Sequence, residues 1–163
     1  MITPIIVCLI LMSPLALAWL FGRLTGQRFD LTLWATLGLA FAFVFFFVGH
    51  LVQTDGMVTM LPAWVPQRLA LVYVTGGLEV VIAVGLVVPA TRRWALLAAM
   101  LVLVLFYPAN IYAAWQQIDY AGYRWGLSYL WVRTPLQLLL LFWAYWLCWR
   151  PTSASVPAPA LRS

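Results

Sequence analysis

Five long apolar runs, separated by short polar connections, constrain this chain more than any other feature. The runs cover residues 2–20, 31–51, 69–88, 94–114 and 134–149. About 20 apolar residues in a helix span the hydrocarbon core of a bilayer. The sequence is 66% hydrophobic and 8% charged, whereas soluble domains carry roughly 25% charged residues. We therefore predict an all-α membrane protein in which residues 1–151 form one transmembrane domain and residues 152–163 form a disordered tail.

The first run has a second interpretation as a signal peptide, because Ala16-Leu17-Ala18 is typical of a small-residue cleavage site. This run lacks the basic segment that precedes the apolar part of such peptides. Most arginines fall in the connections after runs one and three and in the tail, which the positive-inside rule assigns to the cytoplasm. Retaining the first run fits that distribution. We expect the N-terminus to lie outside and the C-terminus to lie in the cytoplasm.

Several kinds of chemistry have no support in the sequence. No basic run exceeds two residues, so nucleic acid is not an expected partner. Cys8 and Cys148 lie at different depths of separate runs, so we expect no disulfide. No spacing of His, Cys, Asp and Glu is typical of a metal site, and we predict no metal and no intrinsic cofactor. Electrons for any redox reaction would be held by a bound ligand or by a partner subunit.

The few polar side chains inside the apolar runs are the candidate functional residues, since a titratable group at membrane depth is costly. Glu79 is the only glutamate and His50 the only histidine. We predict that both have catalytic, proton-handling roles. The predicted ligand-binding residues are Gln53, Asp55, Tyr73, Asn110, Arg133 and Gln137. The predicted topology brings most of this set to the outer half of the bundle, which indicates an outward-facing polar pocket with Glu79 at its floor.

Structural roles are the alternative for the same residues. Glu79 would then only hydrogen-bond to a neighbouring side chain: Arg133, Gln137 or Tyr73. His50 would cap the end of the second span, and Asp55 in Thr54-Asp55-Gly56 is typical of a turn. Asn110, next to the helix-breaking Pro108, would only stabilise a kinked helix.

The connections between the runs carry weaker signals. Asp30 is an expected N-cap of the second span. Apolar residues recur at helical spacing after the Thr54-Asp55-Gly56 turn and predict a short amphipathic segment, either an interfacial connector or a lid. Its members are Met57, Met60, Leu61 and Trp64. The aromatic residues of the 115–133 loop are expected to form an interfacial belt.

Six short motifs resemble the DoxX-like family of small bacterial membrane proteins. They are Gly49-His50, LPAWVP (Leu61–Pro66), YVTGGLE (Tyr73–Glu79), VVPATRR (Val87–Arg93), FYPANIY (Phe106–Tyr112) and RTPLQ (Arg133–Gln137). The resemblance covers about residues 48–143. It implies a four-helix transmembrane bundle, to which this chain adds one N-terminal transmembrane helix. Named members of that family include a subunit of a thiosulfate:quinone oxidoreductase, which implies a redox-linked role.

Three functional hypotheses follow. The first is a redox-associated inner-membrane subunit that binds a hydrophobic, quinone-like small molecule in the outward-facing pocket. The second is a membrane-embedded acid–base enzyme of the isomerase or hydrolase type that acts on an apolar substrate. The third is a structural or assembly subunit of a membrane complex. The lipid bilayer, a hydrophobic small molecule and a membrane or redox partner subunit are the expected partners.

Overall fold

The computed structural model describes residues 2–27 and 29–150 and is helical throughout that part of the chain, with no strand. The predicted tail, residues 152–163, lies outside the described residues. Six α-helices and one 3₁₀ segment occur in the order α1 (Ile2–Thr25), α2 (Leu31–Val52), α3 (Thr54–Thr59), α4 (Arg68–Val87), α5 (Arg92–Trp115), the 3₁₀ segment (Tyr123–Tyr129) and α6 (Leu130–Cys148).

Four helices in the described part of the chain are long and apolar enough to cross a membrane. They are α1, α2, α4 and α5, with mean hydropathies of 2.4, 2.2, 2.1 and 2.0. Large apolar side chains cover their outer surfaces, as expected for helices that face lipid rather than water. The all-helical fold predicted from the sequence is thereby confirmed for the described residues, and four of the helices have the length and composition of membrane spans.

The fifth predicted span corresponds to α6, which is not among these four helices. Arg133, Pro135 and Gln137 lie in its first half and reduce its apolar character. Its crossing of the membrane stays a prediction, as do the outward N-terminus and the bacterial inner membrane.

The ends of the helices are stabilised by specific side chains. Asp30 caps α2 as predicted, because its Oδ1 accepts hydrogen bonds from the backbone N–H groups of Thr32 at 2.9 Å and Leu33 at 3.4 Å. At the end of α4, the buried side chain of Arg92 donates from Nε to the carbonyl of Leu86 at 3.1 Å. That bond satisfies one of the carbonyl groups that the last turn of a helix leaves without a partner.

The bundle is held together by close helix contacts and one apolar core. Helix α2 packs against both α1 and α4, and α5 packs against both α4 and α6. Trp143 on α6 donates from its indole nitrogen to the carbonyl of Ala35 on α2 at 3.1 Å. The core shared by these helices includes Leu11, Leu39, Phe43, Leu86, Leu96 and Leu140.

Gly38 allows α1 to approach α2 closely. A Cβ atom at position 38 would overlap the backbone carbonyl of Leu11 on α1. Small residues at such positions let helix backbones pack within van der Waals distance, which is a main source of helix association in lipid. The docking of α1 onto the rest of the bundle therefore depends on the absence of a side chain at this position.

We expect Gly38→Ala to destabilise the protein by about 1–3 kcal/mol, because the added methyl group must displace the α1 backbone. Gly77→Ala on α4 is the matched control, since no atom lies within 4 Å of its added Cβ. The control should be neutral or slightly stabilising, since alanine favours helix over glycine by about 1 kcal/mol. Thermal unfolding in a neutral detergent measures the stability of both variants. Equal melting temperatures for the two variants would contradict the role assigned to Gly38.

Candidate functional site

A cavity of about 420 Å³ lies between α2, α4, α5 and α6, and α3 and the 3₁₀ segment contribute to its wall. Its lining is mostly apolar and includes Phe43, Phe46, Val72, Val102 and Leu140. Sites for small molecules commonly have volumes of about 300–1,000 Å³, with apolar walls and a few convergent polar groups. The cavity has the size and the wall of such a site.

Glu79 and His50 form a buried pair in this cavity. Glu79 Oε2 lies 3.3 Å from His50 Nε2, and the two residues are only 5% and 8% exposed. Gly76, one turn before Glu79 on α4, makes the contact feasible, because a Cβ there would lie 2.9 Å from His50 Cβ. The missing side chain at position 76 thus brings the histidine of α2 against α4, beside the carboxylate.

The pair leaves hydrogen-bonding capacity unused. Neither Glu79 Oε2 nor His50 Nδ1 has a hydrogen-bond partner within the described residues. An unsatisfied buried polar atom costs free energy that a partner would recover. Both atoms belong to residues that line the cavity, so a molecule in the cavity is a candidate partner.

A second polar group forms where α5, α6 and the 3₁₀ segment meet. Asn110 Oδ1 accepts hydrogen bonds from Arg133 Nε at 3.2 Å and from the hydroxyl group of Tyr123. Asn110 Nδ2 donates to the carbonyl of Phe106 at 2.9 Å. These bonds fix the amide orientation and hold the arginine at the cavity wall.

Gln137 connects α6 to the backbone of α5. Its Nε2 donates to the carbonyl of Leu103 at 2.5 Å. That carbonyl lies one residue before the carbonyl of Val104, which Pro108 leaves without its helical donor because proline has no N–H group. The bond therefore holds the two helices together beside the proline, with a side chain of α6 buried against α5.

Three tyrosines lie beside Arg133 at the end of the cavity that the 3₁₀ segment forms. Tyr123 is 2% exposed, and burial raises its pKa to about 12, against the opposing effect of Arg133. Burial also raises the pKa of Tyr120 and Tyr129, again opposed by Arg133. These hydroxyl groups remain protonated near neutral pH and act as hydrogen-bond donors.

Six of the eight predicted site residues line this one cavity. They are His50, Gln53, Glu79, Asn110, Arg133 and Gln137. The hydrogen bonds that the structural alternative assigned to Glu79 do not occur in the described part of the chain, where its close partner is His50. The structural alternative for Glu79 was therefore wrong about the partner, and the proton-handling role of Glu79 stays a prediction.

Tyr73 and Asp55 lie outside the cavity, and their placement in the pocket was wrong. Both line a separate depression near the start of α4, and Tyr73 is 50% exposed. Six residues of an α-helix turn through about 600°, so Tyr73 lies about 120° around α4 from Glu79. Asp55 belongs to the first turn of α3, a helix where the sequence predicted a turn.

The amphipathic segment is present and belongs to the cavity wall. Met57, Met60 and Leu61 line the cavity, whereas Trp64 is 82% exposed. Helix α3 therefore covers part of the site and does not only connect α2 to α4.

The buried tyrosines were missed by the sequence analysis, which assigned all aromatics of the loop to an interfacial belt. Tyr123 and Tyr129 instead form a small core with the end of α5, and their rings meet edge to face at 4.9 Å. Gly122, with φ of 102°, turns the chain into this core. The available signal was Gly122, which precedes Tyr123, and Gly126, which lies between the two tyrosines, because positive φ favours glycine.

Residues 39–148 match the model of a family described as Domain of unknown function (DUF8561). The matched region begins inside α2, so α1 precedes it, and it contains all six predicted residues that line the cavity. No curated protein and no solved structure matches the chain.

The raised pKa of Tyr123 predicts a loss of stability at high pH. Its pKa is about 12 in the folded protein and about 10 in an unfolded chain. The stabilisation is therefore complete below pH 10 and lost as the pH rises through 12. Two pKa units correspond to about 3 kcal/mol. Melting temperatures of wild type and Tyr123→Phe, measured from pH 9 to 12, test this expectation.

The variant should lose less stability than wild type across that window, because it has no hydroxyl to ionise at position 123. Tyr145→Phe, which removes the hydroxyl of an exposed tyrosine on α6, should behave as wild type. If the melting temperatures of wild type and Tyr123→Phe fall in parallel as the pH rises, ionisation of Tyr123 does not destabilise the fold and the prediction is wrong.

Proposed function

This chain belongs to the DUF8561 family, and we propose that it binds a hydrophobic small molecule of the quinone type in the cavity, as the redox-associated subunit of a membrane complex. Glu79 and His50 exchange protons with the ligand. The observation that carries the proposal is the buried Glu79–His50 pair, with one unsatisfied atom on each residue, in the wall of an apolar cavity.

The pair is suited to a ligand whose oxygen atom changes protonation during a reaction. A carbonyl oxygen accepts a hydrogen bond from a protonated carboxyl or imidazole group, and a hydroxyl group donates one to the deprotonated form. The same two residues can therefore bind an oxidised, carbonyl-bearing ligand and its reduced, hydroxyl-bearing form. General acid–base groups must lie within hydrogen-bonding reach of the atom they protonate, and the presence of both residues in the cavity wall supports that role.

Reduction of a quinone to a quinol takes up two electrons and two protons, one proton at each carbonyl oxygen. In this proposal a redox partner subunit supplies the two electrons, the Glu79–His50 pair delivers one proton to the carbonyl oxygen that lies against it, and the other carbonyl oxygen takes its proton from water. The apolar wall, with Phe43 and Phe46, accommodates the ring and its substituents. A ligand of this class reaches the site from the surrounding lipid.

An acid–base enzyme is the second candidate, because one acid and one base 3.3 Å apart can move a proton between two atoms of a substrate without any electron acceptor. Catalysis by the purified chain alone, with no partner and no acceptor, would favour this alternative. A reaction of the bound ligand that requires a redox partner subunit would favour the quinone-type role instead.

The test is binding of decylubiquinone to the purified protein, followed by native mass spectrometry from a neutral detergent. We expect one quinone per chain, with at least about tenfold weaker binding for Glu79→Gln and for His50→Ala, since each loses a hydrogen bond to the ligand. Asp55→Asn is the matched control, because this acid lies outside the cavity and should leave the affinity unchanged.

Melting temperatures distinguish this result from an assembly role. If Glu79→Gln and His50→Ala unfold or fail to assemble, the pair serves only to hold α2 against α4. If both variants fold and bind the quinone as wild type does, the proposed site is wrong.

A further inference from the structure

Arg133 is a charged side chain of the cavity wall that makes no direct contact with the Glu79–His50 pair. Within the described residues, Glu79 is the only acidic side chain that lines the cavity, and it contacts His50. No carboxylate in the described part of the chain lies within 4.0 Å of the Arg133 guanidinium, whereas the exposed Arg124 has Asp119 at 3.8 Å. Arg133 is therefore a half-buried cation with no carboxylate in contact among the described residues, and Glu79 interacts with it only at longer range.

The neighbours of Arg133 do not compensate its charge. Asn110 accepts the hydrogen bond from Nε and is neutral, and its Oδ1 is already shared with the hydroxyl of Tyr123. The surrounding tyrosines are held in their protonated form by burial, which raises their pKa values. The tyrosine hydroxyl groups are therefore neutral near pH 7 and supply no negative charge to balance the arginine.

The free edge of the guanidinium is available to a ligand. Arg133 donates from Nε to Asn110 and has a side-chain hydrogen-bond interaction with the Tyr123 hydroxyl. A guanidinium has five N–H donors, so further N–H groups of its terminal nitrogens remain for a ligand. A planar guanidinium recognises carboxylate and phosphate groups with paired hydrogen bonds. Because Asn110 holds the Nε side of the guanidinium group, the terminal nitrogens are restrained at the cavity wall and do not move freely in solvent.

We propose that the cavity takes a single-chain amphiphile whose anionic head, a carboxylate or a phosphate, binds the Arg133 guanidinium while its apolar part lies along the aromatic wall. The proposal rests on the proposed function, because it concerns the same cavity, and it assigns the ligand a second polar end besides the one that meets Glu79 and His50. It makes Arg133 the residue that selects anionic over neutral ligands.

The experiment compares matched probes on the full-length protein in a neutral detergent. Palmitate and methyl palmitate share a chain and differ in charge, and so do dodecyl phosphate and dodecanol. Native mass spectrometry gives the affinity of each. We expect wild type to bind each anionic probe at least about tenfold more tightly than its neutral partner. A preference within only one pair identifies the head group as carboxylate or as phosphate.

Variants assign any preference to Arg133. In Arg133→Gln the ratio of the anionic to the neutral affinity should fall to about 1. Arg133→Lys should restore part of the preference, since lysine keeps the positive charge but lacks the planar guanidinium that makes paired hydrogen bonds. Arg124→Gln, which removes an exposed arginine outside the cavity wall, should keep the full preference. Equal binding of charged and neutral probes in wild type, or an undiminished preference in Arg133→Gln, overturns the inference.

Decylubiquinone separates this inference from the proposed function. If the quinone binds and no anionic preference exists, the cavity is a ligand site and the role of Arg133 is wrong. If anionic probes bind with the expected preference and the quinone does not bind, Arg133 has the assigned role and the quinone-type function is wrong. Quinone binding by Arg133→Gln also shows that this variant is folded.

Discussion

The contact between Glu79 and His50 is the interaction on which the rest of the site depends. A carboxyl group and an imidazole group buried in an apolar bundle are costly unless each offsets the other. Their approach requires that α2 and α4 pack closely, and Gly76 provides the space. The same packing sets one side of the cavity, so the polar pair and the apolar wall arise from a single helix interface.

The opposite side of the cavity is organised by hydrogen bonds instead of by small residues. Asn110 connects α5 to α6 through Arg133 and to the 3₁₀ segment through Tyr123. Gln137 adds a bond from α6 to the backbone of α5. Helices held in this way by polar side chains can enclose a space between them, because the contact does not require that the apolar surfaces meet along their whole length.

The sequence predicted the helices and most of the site, because both depend on local signals. Apolar runs define the spans, and alternating crossings place Asn110, Arg133 and His50 at the same end of the bundle. The contact between Glu79 and His50 was not predictable, since it depends on the rotation of α2 against α4. The burial of Tyr123 was missed for a related reason, because an aromatic residue near a membrane surface is equally consistent with a lipid-facing belt.

The errors at Tyr73 and Asp55 have the same origin. Both residues are close in sequence to residues that line the cavity, but the periodicity of the helix puts their side chains on a different face. Tyr73 shares α4 with Glu79 and lies on a different face. Asp55 precedes Met57 by two residues, about 200° around α3. The predicted depth selected six residues that line one cavity, whereas the face of each helix needed the structure.

The central claim is that Glu79 and His50 form one ligand-responsive pair, and the sequence allows an unusually direct measurement of it. His50 is the only histidine and Glu79 the only glutamate, so nitrogen NMR of ring-labelled protein without a histidine tag reports this site alone. The ring-nitrogen signals should shift in Glu79→Gln and again when decylubiquinone is added to wild type. Signals that are unchanged by both would show a histidine that neither pairs with Glu79 nor meets a ligand.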